Sequence, residues 1–75
     1  MLVKTYTYLK DAAGFIVLYD DRGNCVKDKL GFDSVFANMD AALKYLKHLS
    51  KRAKTRGEHT IYRLIVDVGH TIDII

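Results

Sequence analysis

The sequence predicts an α+β domain of order β-β-β-α-β-β, with one helix packed on one face of a mixed, mainly antiparallel sheet. Three observations predict it. Runs of β-branched and aromatic residues alternate with Gly, Asp and Asn turn clusters across residues 1–30. A single segment carries the helical period, with Ala42, Leu46, Leu49 and Ala53 in one stripe. Two further apolar runs follow it. In that order the first three strands form a meander. The helix crosses over, and a right-handed crossover lays the fourth strand beside the first. The fifth pairs on the fourth, giving spatial order 3-2-1-4-5.

Each element has its own signal. Leu2 to Leu9 is rich in β-branched and aromatic residues and reads as a strand. Lys10 to Gly14 is a turn. Phe15 to Tyr19 is apolar throughout and reads as a central strand. Asp20-Asp21-Arg22-Gly23-Asn24 is a strong turn signal. Cys25 to Leu30 reads as a weaker edge strand, because Lys27, Asp28 and Lys29 discourage further pairing. Gly31 to Ala37 is a connection whose Phe32, Val35 and Phe36 are expected under the helix. Asn38 is the N-cap, and Asp40 suits the positive end of the helix dipole. The helix runs to Thr55, with Gly57 as the residue that stops it. Thr60 to Val68 is a long strand, Gly69-His70 breaks it, and Thr71 to Ile75 is a short last one. No proline, linker or internal repeat divides residues 1–75, so they read as one domain.

The chain has 75 residues, 49% hydrophobic and 28% charged, as in a globular protein rather than a disordered tail. So short a chain buries only about 60–65% of its unfolded surface, so modest stability is expected. Cys25 is the sole cysteine, which fits a reducing compartment or a fold indifferent to redox state. Met1 to Leu9 is too polar for a signal-peptide core, and Phe15 to Tyr19 is far shorter than the roughly 20 residues that span a bilayer. The expectation is a soluble, cytoplasmic protein without a membrane partner.

The net charge of +3 is unevenly spread. Residues 1–40 carry five bases against six aspartates, while residues 41–63 carry seven bases against Glu58 alone. Lys44, Lys47, Lys51 and Lys54 lie three, four and three apart, so they form one stripe opposite the apolar one. Lysine also fills merely solvated helix faces, being soluble and a good helix former. The functional reading is contact with phosphate or with an acidic protein surface, extended by Arg52, Arg56 and Arg63. Lysine in place of arginine argues for sequence-tolerant, salt-sensitive contact.

No constellation points to catalysis. Cys25 has no histidine near it in sequence, and the spacing of His48, His59 and His70 matches no zinc pattern. Asp20, Asp21 and Asp28 surround one expected hairpin, where aspartate serves turn chemistry more often than Mg²⁺. Glycine occurs singly, so there is no phosphate-cradling loop. Tyr6, Tyr8, Phe15 and Tyr19 could stack single-stranded bases, although packing is the commoner role of such residues. No catalytic residue, metal or cofactor is expected.

Val35-Phe36-Ala37-Asn38-Met39-Asp40-Ala41-Ala42-Leu43-Lys44-Tyr45-Leu46, after three strands, resembles in hydrophobic pattern the strand-to-helix join of integrase arm-binding domains. That resemblance covers about half the chain and implies DNA contact through a three-stranded sheet. In size and in its lone α/β unit the chain also resembles small accessory proteins of phages and mobile elements, anti-CRISPR inhibitors among them. That group shares no motif, so it implies only a mode of action: a small rigid surface that blocks a larger machine.

These readings converge on a non-enzymatic binding protein of the accessory or inhibitor type. Its partner is expected to be a larger protein or ribonucleoprotein with an acidic surface, met by Lys44, Lys47, Lys51, Arg52, Lys54 and Arg56. The alternative is a sequence-tolerant nucleic-acid-binding module using the same stripe. One helix covers one sheet face, so a homodimer is a further expectation, through Tyr6, Tyr8, Ile72 and Ile74 on an uncovered face or on the last strand.

Overall fold

The computed structural model describes residues 2–28 and 30–74. Five strands and one helix follow in the order β1 (Leu2–Lys10), β2 (Ile16–Tyr19), β3 (Val35–Phe36), α1 (Met39–Thr55), β4 (Thr60–Asp67) and β5 (His70–Ile74). They form one five-stranded sheet of order β3-β2-β1-β4-β5, as expected. β1 is central, antiparallel to β2 and parallel to β4. The remaining pairs, β2–β3 and β4–β5, are antiparallel. No helix is long and apolar enough to cross a membrane among the described residues.

One turn design recurs in the meander. Asp11, Asp20 and Asp28 each accept, on Oδ1, hydrogen bonds from the backbone N–H groups two and four residues ahead, at 2.9–3.0 Å. Three residues after each aspartate stands a glycine: Gly14, Gly23 and Gly31, with φ of 87°, 81° and 88°. Each glycine N–H donates to the aspartate carbonyl, at 3.0–3.1 Å. This is a tight turn followed by a left-handed residue, which reverses a hairpin with a bulge.

The third copy of the turn corrects the expected Cys25–Leu30 strand. Cys25 bridges Tyr19, and the Val26 N–H donates to the Leu18 carbonyl. The chain then leaves in a small hairpin closed by the Lys27–Asp33 bridge. It returns when the Ser34 N–H donates to the Val26 carbonyl, and Val35 and Phe36 pair with Val17 and Ile16. The outer edge of β2 is therefore covered in two instalments. Of the residues expected under the helix, only Phe36 packs there, against Tyr45 at 5.3 Å between ring centroids; Phe32 and Val35 are exposed.

The helix ends are those the sequence implies. Asn38 accepts from the Ala41 N–H at 2.9 Å. At the other end the Gly57 N–H donates to the Lys54 carbonyl and the Glu58 N–H to the Ala53 carbonyl, with Gly57 at φ 78°. Those two bonds are a Schellman stop, which satisfies carbonyls the helix cannot.

The core lies between α1 and the sheet. Ala42, Leu46 and Ala53 pack with Ile16 and Leu18 of β2, Tyr62 and Leu64 of β4 and Ile74 of β5. Leu49, expected in the buried stripe, is only half-buried, and Ser50 is buried instead. The Ser50 Oγ has no hydrogen-bond partner among the described residues.

Register decides which sheet face is covered. Tyr8 stands beside buried Leu18, Tyr6 beside buried Leu64 and Ile72 beside Leu64, so all three point toward the helix. Tyr6 and Tyr8 are half-buried against the core, and Ile74 is 6% exposed. The expected self-association set of Tyr6, Tyr8, Ile72 and Ile74 therefore lies on the covered face, and Ile74 is core. The reason is parity: residues of even number in β1 and β5 fall on the helix side.

Two stability measurements check this packing. Ile74→Lys should cost about 3 kcal/mol or more, because it loses a buried side chain and strands an ammonium at the core. A loss under about 0.5 kcal/mol in denaturant melts would return Ile74 to the surface. Ser50→Ala should be neutral or stabilise by up to about 1 kcal/mol, since it removes an unpartnered buried hydroxyl and favours helix. A loss above about 1 kcal/mol would show that the hydroxyl is bonded in solution.

Candidate interaction surface

The outer side of α1 is a line of cations. Residues 42, 46, 50 and 53 face the sheet, so Lys44, Lys47, Lys51 and Lys54 are turned to solvent, and all four are exposed. Over ten residues the row spans about 15 Å at 1.5 Å per residue. None of the four takes part in an ion pair among the described residues. Basic residues in the last turn also suit the helix dipole, so part of the row has a local structural reason.

The arginines separate into three environments. Arg52 is exposed on the other flank of the helix, beside Tyr45 and His48. Arg56 closes on Glu58 at 2.9 Å, which raises the guanidinium and lowers the carboxyl. Arg63 cannot extend the row, because its position in β4 puts it on the sheet face away from the helix. There its Nε and Nη2 donate to the two Asp73 oxygens at 2.7 and 3.1 Å. That bond holds the Asp73 carboxyl below its ordinary value.

Beside the lysine row runs a shallow groove of about 380 Å³ between α1 and β5. Leu43, Ile72 and Ile74 supply apolar surface, and Lys44, Lys47 and Asp40 stand along it. The structure thus brings Ile72 together with two of the lysines, a juxtaposition that sequence spacing alone does not carry.

The remaining candidates are scattered. Among the described residues, no three His, Cys, Asp or Glu side chains gather as a metal would need. A half-open hollow at the β2 end holds Lys4, Asp20, Asp21 and Arg22, but the Asp20 Oδ1 is committed to its turn. Burial, with Asp33 nearby, pushes the Cys25 thiol up, away from the nucleophilic thiolate. His48 and His59 are exposed, and His70 pairs with Asp67 across the last turn. Tyr6, one of the aromatic residues that could stack a base, lies against Tyr62, ring on ring at 6.1 Å, and Lys4 stands over Tyr62 at 5.8 Å.

No protein-family model, curated protein or solved structure matches this chain.

The tyrosine cluster at the edge of the core gives a pH signature. Desolvation, followed by Tyr62, Tyr45 and the aspartates at 20 and 21, pushes the Tyr6 phenol from 10.0 up to about 12. Folding therefore favours the neutral phenol. Its contribution is complete below pH 10 and is lost as pH rises toward about 12. Urea melts at stepped pH should show wild type losing more stability than Tyr6→Phe across that window, with no pH-dependent difference below it. Parallel profiles would mean that Tyr6 ionises freely in the fold.

Proposed function

We propose that this protein is a non-enzymatic binding module of the accessory or inhibitor type, which docks the outer face of α1 on an acidic surface of a larger protein or ribonucleoprotein. The observation that carries the reading is the row Lys44, Lys47, Lys51 and Lys54, exposed and without ion-pair partners among the described residues. Elsewhere Lys27, Arg56 and Arg63 each have a carboxylate partner. Clustered like charges cost self-repulsion, which an acidic partner relieves. The groove beside Lys44 and Lys47 favours a protein partner over bare phosphate. Its apolar floor of Leu43, Ile72 and Ile74 suits a side chain inserted between charge contacts.

The second reading, a sequence-tolerant nucleic-acid-binding module, rests on the same row, which could follow a few phosphates on one strand. Binding to short single- and double-stranded oligonucleotides, titrated with salt, separates the two. A protein partner predicts contact weaker than micromolar at physiological salt. Micromolar binding that fades steeply with salt would favour nucleic acid.

Lys47→Glu with Lys51→Glu should change folding stability by no more than about 0.5 kcal/mol, since both sites are exposed. The same variant should lose a protein that wild type retains, at moderate salt, from extracts of its native cell. Retention of the same protein by both forms would remove the lysine row from the interface.

A further inference from the structure

β5 is the outermost strand of the sheet, and among the described residues no strand pairs with its far side. In an antiparallel pair, alternate residues direct their N–H and C=O groups away from the partner strand. Along His70–Ile74 those groups form a free edge, which is a template for one more strand. Lysine and proline, which commonly blunt such an edge, are absent from this segment. Its one carboxylate, Asp73, is bound by Arg63 on the sheet face away from the helix.

The groove between α1 and β5 lies against this edge. Asp73 lines it although its carboxylate is on the opposite face, so Asp73 meets the groove from its main-chain side. A strand added to β5 would place every second side chain on the helix side of the sheet, over the groove. Leu43 and Ile72, the latter 39% exposed, offer apolar contact there. Lys44 and Lys47 stand beside them without ion-pair partners among the described residues. Asp40 lies one helical turn before Lys44, so the cationic end of the groove is the one toward Lys47.

Charge decides what occupies the edge. β5 of a second copy would put both helices on one side and bring the Lys44–Lys47 ends together. On that side it would offer only Ile72 and Ile74, since its Asp73 faces the other way. A strand with carboxylates on the helix side relieves the charge instead.

We propose that β5 and the adjoining groove take up an extended segment of the protein partner as a sixth strand, with an apolar residue over Leu43 and Ile72 and an acidic residue two positions away, at Lys44 and Lys47. The inference rests on the reading of the lysine row as a partner-binding surface, and gives the form of what that surface binds.

The test is a titration of ¹⁵N-labelled wild type with the capped peptide Thr-Glu-Thr-Ile-Thr-Glu-Thr, followed by amide shifts. Glutamate flanks the isoleucine on both sides, so either strand direction presents one to the lysines. Saturable shifts centred on residues 70–74 and 43–47 are expected, with a Kd below about 1 mM. Binding should weaken about tenfold or more when lysine replaces glutamate in the peptide, or in Lys44→Glu with Lys47→Glu. Two further peptides carry a single N-methyl group, on the isoleucine or on the threonine after it. An added strand bonds only one of those two amides to β5, so one peptide should retain binding and the other should lose it. Equal binding by the two would overturn strand addition, as would the absence of shifts at residues 70–74. Shifts there that grow with protein concentration alone would give the edge to a second copy and overturn it too. The lysine-row reading is judged separately by Lys47→Glu with Lys51→Glu, which loses a retained protein whether that protein presents a strand or a folded surface.

Discussion

The parallel pairing of β1 with β4 sets the rest of the structure. Among the described residues it is the one parallel pair in the sheet, and α1 is the crossover it requires. Its register puts Tyr62 and Leu64 under the helix and leaves Ile61, Arg63 and Ile65 on the far side. A slip of one residue would exchange those sets and place Arg63 against Leu46. The core excludes that alternative, because Leu18, Leu46 and Leu64 are completely buried together. The lysine row depends on the same choice. Once Ala42, Leu46 and Ala53 are committed to the sheet, Lys44, Lys47, Lys51 and Lys54 have only solvent left to face.

The molecule has two unlike outer surfaces as a result. The helix side is cationic, with four lysines that have no ion-pair partner among the described residues, and has an apolar groove along one flank. The sheet side is aliphatic and threonine-rich, with one self-neutralised pair. Charge of one sign is poor ground for self-association and good ground for a partner of opposite sign.

Much of this was legible in the sequence, where a local rule was sufficient. Asn38 and Gly57 bounded the helix because capping is a matter of adjacent backbone groups. The strand order followed from a helix standing between the third and fourth strands. One feature was missed although its signal is in the sequence. Asp28 and Gly31 repeat the spacing of Asp11–Gly14 and Asp20–Gly23, and so mark a third turn where an edge strand was expected. The side taken by Tyr6 and Ile72 depends on their pairing with Leu64, a register that the sequence does not carry. Other features had no local signal. Ser50 sits a quarter-turn from the centre of the apolar stripe, and only the depth of the sheet beneath it decides its burial. The groove beside Lys44 joins residues nearly thirty positions apart, and the Arg63–Asp73 pair exists only once β5 has folded back.

The measurement that tests the central claim most directly is a NOESY spectrum of wild type, read for which side of β1 meets the helix. The β1–β4 register predicts contacts from the Tyr6 ring to Tyr62, contacts from Tyr8 to the core methyls, and none from Leu9, Val17 or Val35 to α1. Contacts from those three aliphatic residues to Leu46 or Ala42, with Tyr6 and Tyr8 free of the core, would contradict the register and both surfaces derived from it.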